Sequence, residues 1–233
     1  MKLTNKHLKI IAVSFLMCVM HLSVSAQSFV GLENFEKTKS YTNDVFEDVS
    51  DTDWFAGNVS SAYEYEMMNG KGNAKFDPYA NITIAESITT AVRIFYIYNN
   101  GSPIYFDSID AGSLWYEPYV SFATIEGITT EEYGDYNTTA TRAEFAKILA
   151  ASVDPIDLEA INIVDDGAIP DVDVNADYAD AVYLLYRAGV LSGSDANGTF
   201  NPDSTITRAE AAAIITRIID PSLRKSIELV GEY

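Results

Sequence analysis

Three short motifs carry the residues of this sequence best suited to chemistry. Thr83-Ile84-Ala85-Glu86, Thr141-Arg142-Ala143-Glu144 and Thr207-Arg208-Ala209-Glu210 bring a hydroxyl, a carboxylate and, in two of the three, a guanidinium within four residues. At a helix start the Thr side chain accepts from the amide three residues on, and the Glu carboxylate returns to the Thr amide. Such a capping box contributes about 1 kcal/mol. Thr83, Glu86, Thr141, Glu144, Thr207 and Glu210 are thus expected first of all to be structural. Arg142 and Arg208 fall on the first helical residue, where capping needs no cation and the helix dipole mildly opposes one. A cation placed there suggests an anion or a sugar bound at the helix end. The plainer alternative is a surface arginine paired with one of many carboxylates, a contact worth at most about 1 kcal/mol. On either reading, Arg142→Ala and Arg208→Ala are expected to leave the melting temperature nearly unchanged.

Composition removes most other chemistries. The 233 residues are 48% hydrophobic and 12% aromatic, enough to bury a core. Against 34 Asp and Glu stand 15 Lys and Arg, a net charge of −19 that disfavours a nucleic-acid partner. Residues 1–26 read as a secretory signal peptide, with Lys2, Lys6 and Lys9, an apolar run over residues 10–22, and Ser23-Val24-Ser25-Ala26 before the expected cut. That run is too short to favour a spanning helix, so no membrane span is expected after cleavage. A lipid on Cys18 is disfavoured by Met17, which stands where that processing wants a small residue. Cleavage after Ala26 takes away Cys18, His7 and His21, the chain's whole supply of Cys and His. The remainder has no means to build a disulfide, a thiol nucleophile, a Ser-His-Asp triad or a His/Cys metal site. No cofactor is expected.

Two carboxylate clusters also have residue types that could do chemistry. Asp171, Asp173, Asn175 and Asp177 alternate like the opening of a calcium loop, but Ala176 occupies the glycine position and Val182 that of the acidic twelfth ligand. They are expected to form a solvated helix-entry loop, with no metal. Asp44, Glu47, Asp48, Asp51 and Asp53 read as a solvated acidic run. A glycosidase would need two acids held roughly 5 to 10 Å apart, and no pair stands out.

The elements that position the motifs repeat with a period of about 60 residues, as the Thr at 83, 141 and 207 shows. The first unit runs Phe46-Glu47-Asp48-Val49, Trp54, Gly70, Phe76-Asp77-Pro78 and then its motif. The second has Phe106-Asp107, Trp115, Gly127 and its motif; the third has Ile169-Pro170-Asp171-Val172, Tyr178, Gly189, Phe200-Asn201-Pro202 and its motif. Apolar residues at helical spacing precede each glycine (Tyr178, Val182, Leu185, Tyr186) and follow each motif (Ala209, Ala212, Ile215, Ile219). Every unit therefore reads as helix, glycine-containing loop, helix. One such hairpin cannot bury both stripes, so the three units are expected to pack as one mainly helical body.

These motifs resemble the S-layer homology repeat, and the resemblance covers nearly all of the chain after the signal peptide. It implies an all-α, pseudo-three-fold body built of three helix-loop-helix repeats, at 41–103, 104–164 and 165–225, with a linker at 27–40 and a tail at 226–233. It also implies grooves between repeats that bind secondary cell-wall polysaccharide, often bearing pyruvate ketals, and so hold a secreted protein on the bacterial cell wall without a covalent bond. By the resemblance Arg142 and Arg208 contribute to the grooves, and Ile84 leaves one groove weak or silent. Trp54 and Trp115 match the motif aromatic, and Tyr178 stands in for it displaced by one residue. An exposed ring there could stack on a sugar, although a Trp in a small helical domain is more often a core residue. Other roles consistent with the pattern are a lattice component or a partner-recruiting adaptor, and less readily a carboxylate-pair glycosidase.

Overall fold

A computed structural model describes residues 30–106 and 114–230. The expected signal peptide and its cleavage point lie outside the described residues, as does Asp107. Among the described residues six α-helices make up most of the regular structure: α1 (Ala56–Glu64), α2 (Ile84–Asn100), α3 (Glu117–Ile125), α4 (Arg142–Ala150), α5 (Ala179–Arg187) and α6 (Arg208–Ile219). They alternate in how they begin. The nine-residue helices α1, α3 and α5 start directly after an aromatic residue, Phe55, Tyr116 or Tyr178, which makes no side-chain cap. In contrast, α2, α4 and α6 start with complete capping boxes at Thr83/Glu86, Thr141/Glu144 and Thr207/Glu210.

Packing crosses between repeats. The first helix of a repeat lies on the second helix of the repeat before it: α3 on α2, α5 on α4, and, closing the ring, α1 on α6. The same cyclic order governs the helix starts. The first two amides of α2 donate to Thr138 and Tyr136 carbonyls of the second repeat, those of α4 to Ser204 and Pro202 of the third, and those of α6 to Ala80 and Pro78 of the first. The third amide of each helix goes to its capping Thr. Donors that a helix end ordinarily leaves open are therefore filled by the neighbouring repeat. Phe55, Phe76, Phe145, Tyr186 and Phe200 are fully buried in the shared core.

The tail carries a feature the sequence did not suggest. Two-residue strands β1 (Ile163–Val164) and β2 (Glu228–Leu229) pair in parallel, and Asn162 holds the approach by accepting from Ile227 N and donating to the Tyr186 and Lys225 carbonyls. A two-residue strand has no periodicity to read. Among the described residues no helix is long and apolar enough to cross a membrane.

Candidate binding grooves

Three clefts of similar size, about 490, 450 and 530 Å³, lie beside the loops that follow α1, α3 and α5; we call them grooves 1, 2 and 3. Grooves 1 and 3 draw on more than their own repeat, whereas the lining of groove 2 comes from the second repeat alone. Groove 1 is lined by residues 67–71 and α2, by Arg208 from the start of α6, and by Trp115 from the approach to α3. Groove 3 has residues 191–194 and α6, with Arg142 from the start of α4 and Trp54 from the approach to α1.

The two motif arginines correct the expectation of surface cations at open helix ends. Arg208 is only 4% exposed. Its Nε donates to Phe76 O at 2.9 Å and its Nη2 to Asn69 O at 2.7 Å, while Nη1 lies 3.4 Å from Glu86 Oε1 and the guanidinium sits 4.7 Å from the Phe76 ring centroid. Burial pulls its pKa down, and Glu86, Asp77 and Asp48 push the other way. Arg142 repeats part of the arrangement one repeat back: Nε to Phe200 O at 2.7 Å, Nη1 3.6 Å from Glu210, and the guanidinium 5.4 Å from the Phe200 ring. Both side chains fold beneath the loop of another repeat. Because the first-turn amides are already occupied, no open helix end remains for an anion. Arg208→Ala would strand two buried loop carbonyls and take one cation from Glu86, which reverses the expectation of an unchanged melting temperature.

The loops over these arginines are fixed by the aspartates of the first motif. Asp48 accepts from the amides of Phe76 and Asp77, and Asp171 accepts from those of Phe200 and Asn201. Asp77 and Asn201 both have φ near +60°, a left-handed turn that these carboxylates secure. Asp48 is thus no member of a solvated acidic run, and Asp171 serves the loop. Of the remaining calcium-like residues, Asp173 caps Asn175 and Asp177 meets Lys147.

Trp54 and Trp115 are 63% and 47% exposed, against the expectation of core burial. Each packs edge-on against the next residue, Phe55 or Tyr116, and that residue fills the core. Tyr178 corresponds to Phe55 and Tyr116, since all three directly precede a nine-residue helix. It is therefore a half-buried core residue, and the place of the Trp in the third repeat belongs to Asp177. A one-residue displacement was legible in the sequence; which residue faced outward was not.

Two residues escaped sequence reasoning altogether. Arg93 on α2 lines groove 1 and Arg217 on α6 lines groove 3, each ten residues after its capping Thr. They make matching contacts, Arg93 Nη1 to Met67 O at 3.2 Å and Arg217 Nη1 to Val190 O at 3.1 Å. The shared offset from Thr83 and Thr207 was the available signal.

Groove 2 lacks every one of these groups. Ile84 occupies the motif arginine position and is buried; Asp177 replaces the Trp; and Ala151, just past the end of α4, stands at the offset of Arg93 and Arg217. Counting back from the carbonyls that receive the helix amides, Gly134 replaces Phe76 and Phe200. Lys147 instead bridges Glu131 and Asp177, and Tyr133 donates to the same Glu131.

The family model described as S-layer homology domain matches residues 45–86 and 169–212. The chain is 27% identical over 203 residues to the surface-layer 125 kDa protein of Lysinibacillus sphaericus, covering 84% of this chain and 16% of that protein. It is 33% identical over 110 residues to an amylopullulanase of Thermoanaerobacterium thermosulfurigenes, covering 46% of this chain and 5% of the enzyme. A middle cell wall protein of Brevibacillus brevis is 40% identical over 63 residues, 27% of this chain and 6% of that protein. The chain thus spans a small fraction of the length of these relatives, and they share with it a surface module. From these matches, together with the mostly helical fold, the chain carries S-layer homology segments at 45–86 and 169–212, and the matches indicate a cell-surface or cell-wall location.

Proposed function

We propose that this protein attaches to the bacterial cell wall by binding secondary cell-wall polysaccharide, an anionic and pyruvylated polymer, in grooves 1 and 3. The observation that supports this reading is their matched furnishing: an exposed Trp and two arginines in each, with all three positions substituted in groove 2. The indole offers an apolar face to a sugar ring, and a groove-lining guanidinium offers N–H donors to a carboxylate. A chain of net charge −19 needs such local cations to hold an anionic polymer.

The binding is without turnover. Glu86 and Glu210, the carboxylates lining these grooves, are committed to capping their helices and to contacts with Arg208 and Arg142. Co-sedimentation of the protein with purified wall polymer, native and ketal-stripped, tests the reading. Retention by native polymer with no release of reducing sugar is expected. Equal retention by both polymers would remove the pyruvylated ligand, and no retention at all would remove the function.

A further inference from the structure

We infer that Arg93 and Arg217, and not the arginines of the Thr-Arg-Ala-Glu motifs, receive the acidic group of the bound polymer; this rests on the polysaccharide-binding reading above. Arg208 has its Nε, Nη1 and Nη2 all engaged by two loop carbonyls and Glu86, and Arg142 has its Nε and Nη1 engaged by a loop carbonyl and Glu210, each guanidinium also lying over a Phe ring. They form the frame of each groove. Arg93 and Arg217 each give one Nη to a loop carbonyl, Arg93 also lies 5.9 Å from the Tyr119 ring centroid, and among the described residues no carboxylate lies within 4.0 Å of either guanidinium. In a chain with 34 acids, two groove-lining arginines without an acid partner are open to one from outside.

Two further observations point the same way. The arginine ten residues after the capping Thr is present where the Trp is present and missing where it is missing, so the two occur as one unit facing one ligand. In groove 1, Thr89 is 5% exposed and lines the cleft, and its buried hydroxyl has no hydrogen-bond partner. A buried hydroxyl left unmade is unfavourable unless something supplies the missing bond. A polymer oxygen entering groove 1 beside Arg93 would supply it.

The experiment measures binding of native and ketal-stripped wall polymer to the full chain, to Arg93→Ala, Arg217→Ala and the double variant, and to Thr89→Val, each with its thermal midpoint. Each single Arg variant should lose about tenfold in affinity for native polymer. The double variant should fall to the affinity that the parent shows for stripped polymer, with an unchanged midpoint. Thr89→Val should bind native polymer more weakly while melting no lower than the parent, a combination that a purely structural Thr would not give. Should the Ala variants melt lower, Arg93→Met and Arg217→Met keep the aliphatic stem, and the same loss of discrimination is expected. A folded double variant that still prefers native polymer as the parent does overturns the inference and leaves the polysaccharide reading standing. Failure of the parent to bind either polymer defeats both.

Discussion

Grooves 1 and 3 differ from groove 2 in a way that separates fold from function. All three repeats keep the capping box, the aromatic residue that starts the first helix, and the carbonyl ring that receives the second helix. Those features assemble the body and are present three times. The exposed Trp, the motif Arg with its Phe, and the second Arg are present twice, and in groove 2 they give way together to Asp177, Ile84, Gly134 and Ala151. The capping boxes and the carbonyl ring recur in every repeat, whereas the Trp and the two arginines, one of them part of the frame, are absent together from groove 2. The internal repeat thus acts as its own control.

The largest effect should come from removing the ring itself. Because α5 rests on α4 and α6 on α1, a fragment of residues 165–225 should be largely unfolded by circular dichroism. A sharp independent melting transition in that fragment would show that the repeats are separate domains, and the comparison of grooves would lose its basis.

Next in size is Arg208→Ala, which leaves two loop carbonyls unpartnered in a buried setting and removes one cation from Glu86, which keeps its cap and Lys71. A loss of about 3 kcal/mol in denaturant unfolding is expected, with a smaller loss for the more exposed Arg142→Ala. Equal, negligible effects would return both arginines to the surface role that their sequence position suggests.

Ile84→Arg sharpens the contrast from the other side. The new cation would enter a site with Gly134 where its counterparts have a Phe ring, so it should cost about 2 to 3 kcal/mol and add no polymer binding. A gain of binding stoichiometry in titration calorimetry would mean that groove 2 lacks only its arginine.

Thr207→Ala should cost about 1 kcal/mol, as should Thr141→Ala in groove 2's own helix, because capping serves assembly in every repeat. Chemical denaturation of both variants checks whether the two losses match.

The smallest effect concerns the Lys147 bridge that fills groove 2. Lys147 holds the Asp177 carboxyl below its ordinary 3.8. A depressed folded value means that the contribution is present above the unfolded pKa and is lost as pH falls through the folded one. Parent protein should therefore lose slightly more thermal stability below about pH 4 than Asp177→Asn, with the difference shrinking in high salt. Identical acid profiles would show that the bridge contributes nothing.

Much of this protein follows from local chemistry that the sequence states directly. The capping boxes need only Thr and Glu three residues apart, and the helical stripes need only their own spacing, so fold class and repeat were legible. The repeated motifs likewise pointed to the arginines and tryptophans as a set. Direction was not legible. Whether Trp54 or Phe55 faced the core, and whether Asp177 or Tyr178 took the Trp position, depended on which side of a neighbouring repeat each helix met. Likewise Arg208 stands at the start of a helix, where an isolated helix would expose it. Its burial comes from the loop of the first repeat, 139 residues away at Asn69, closing over it. Arg93 and Arg217 became visible as groove residues only when α2 and α6 were set against those loops. Side chains that meet across repeats owe their environment to long-range packing, and local sequence determines the elements but not which faces that packing covers.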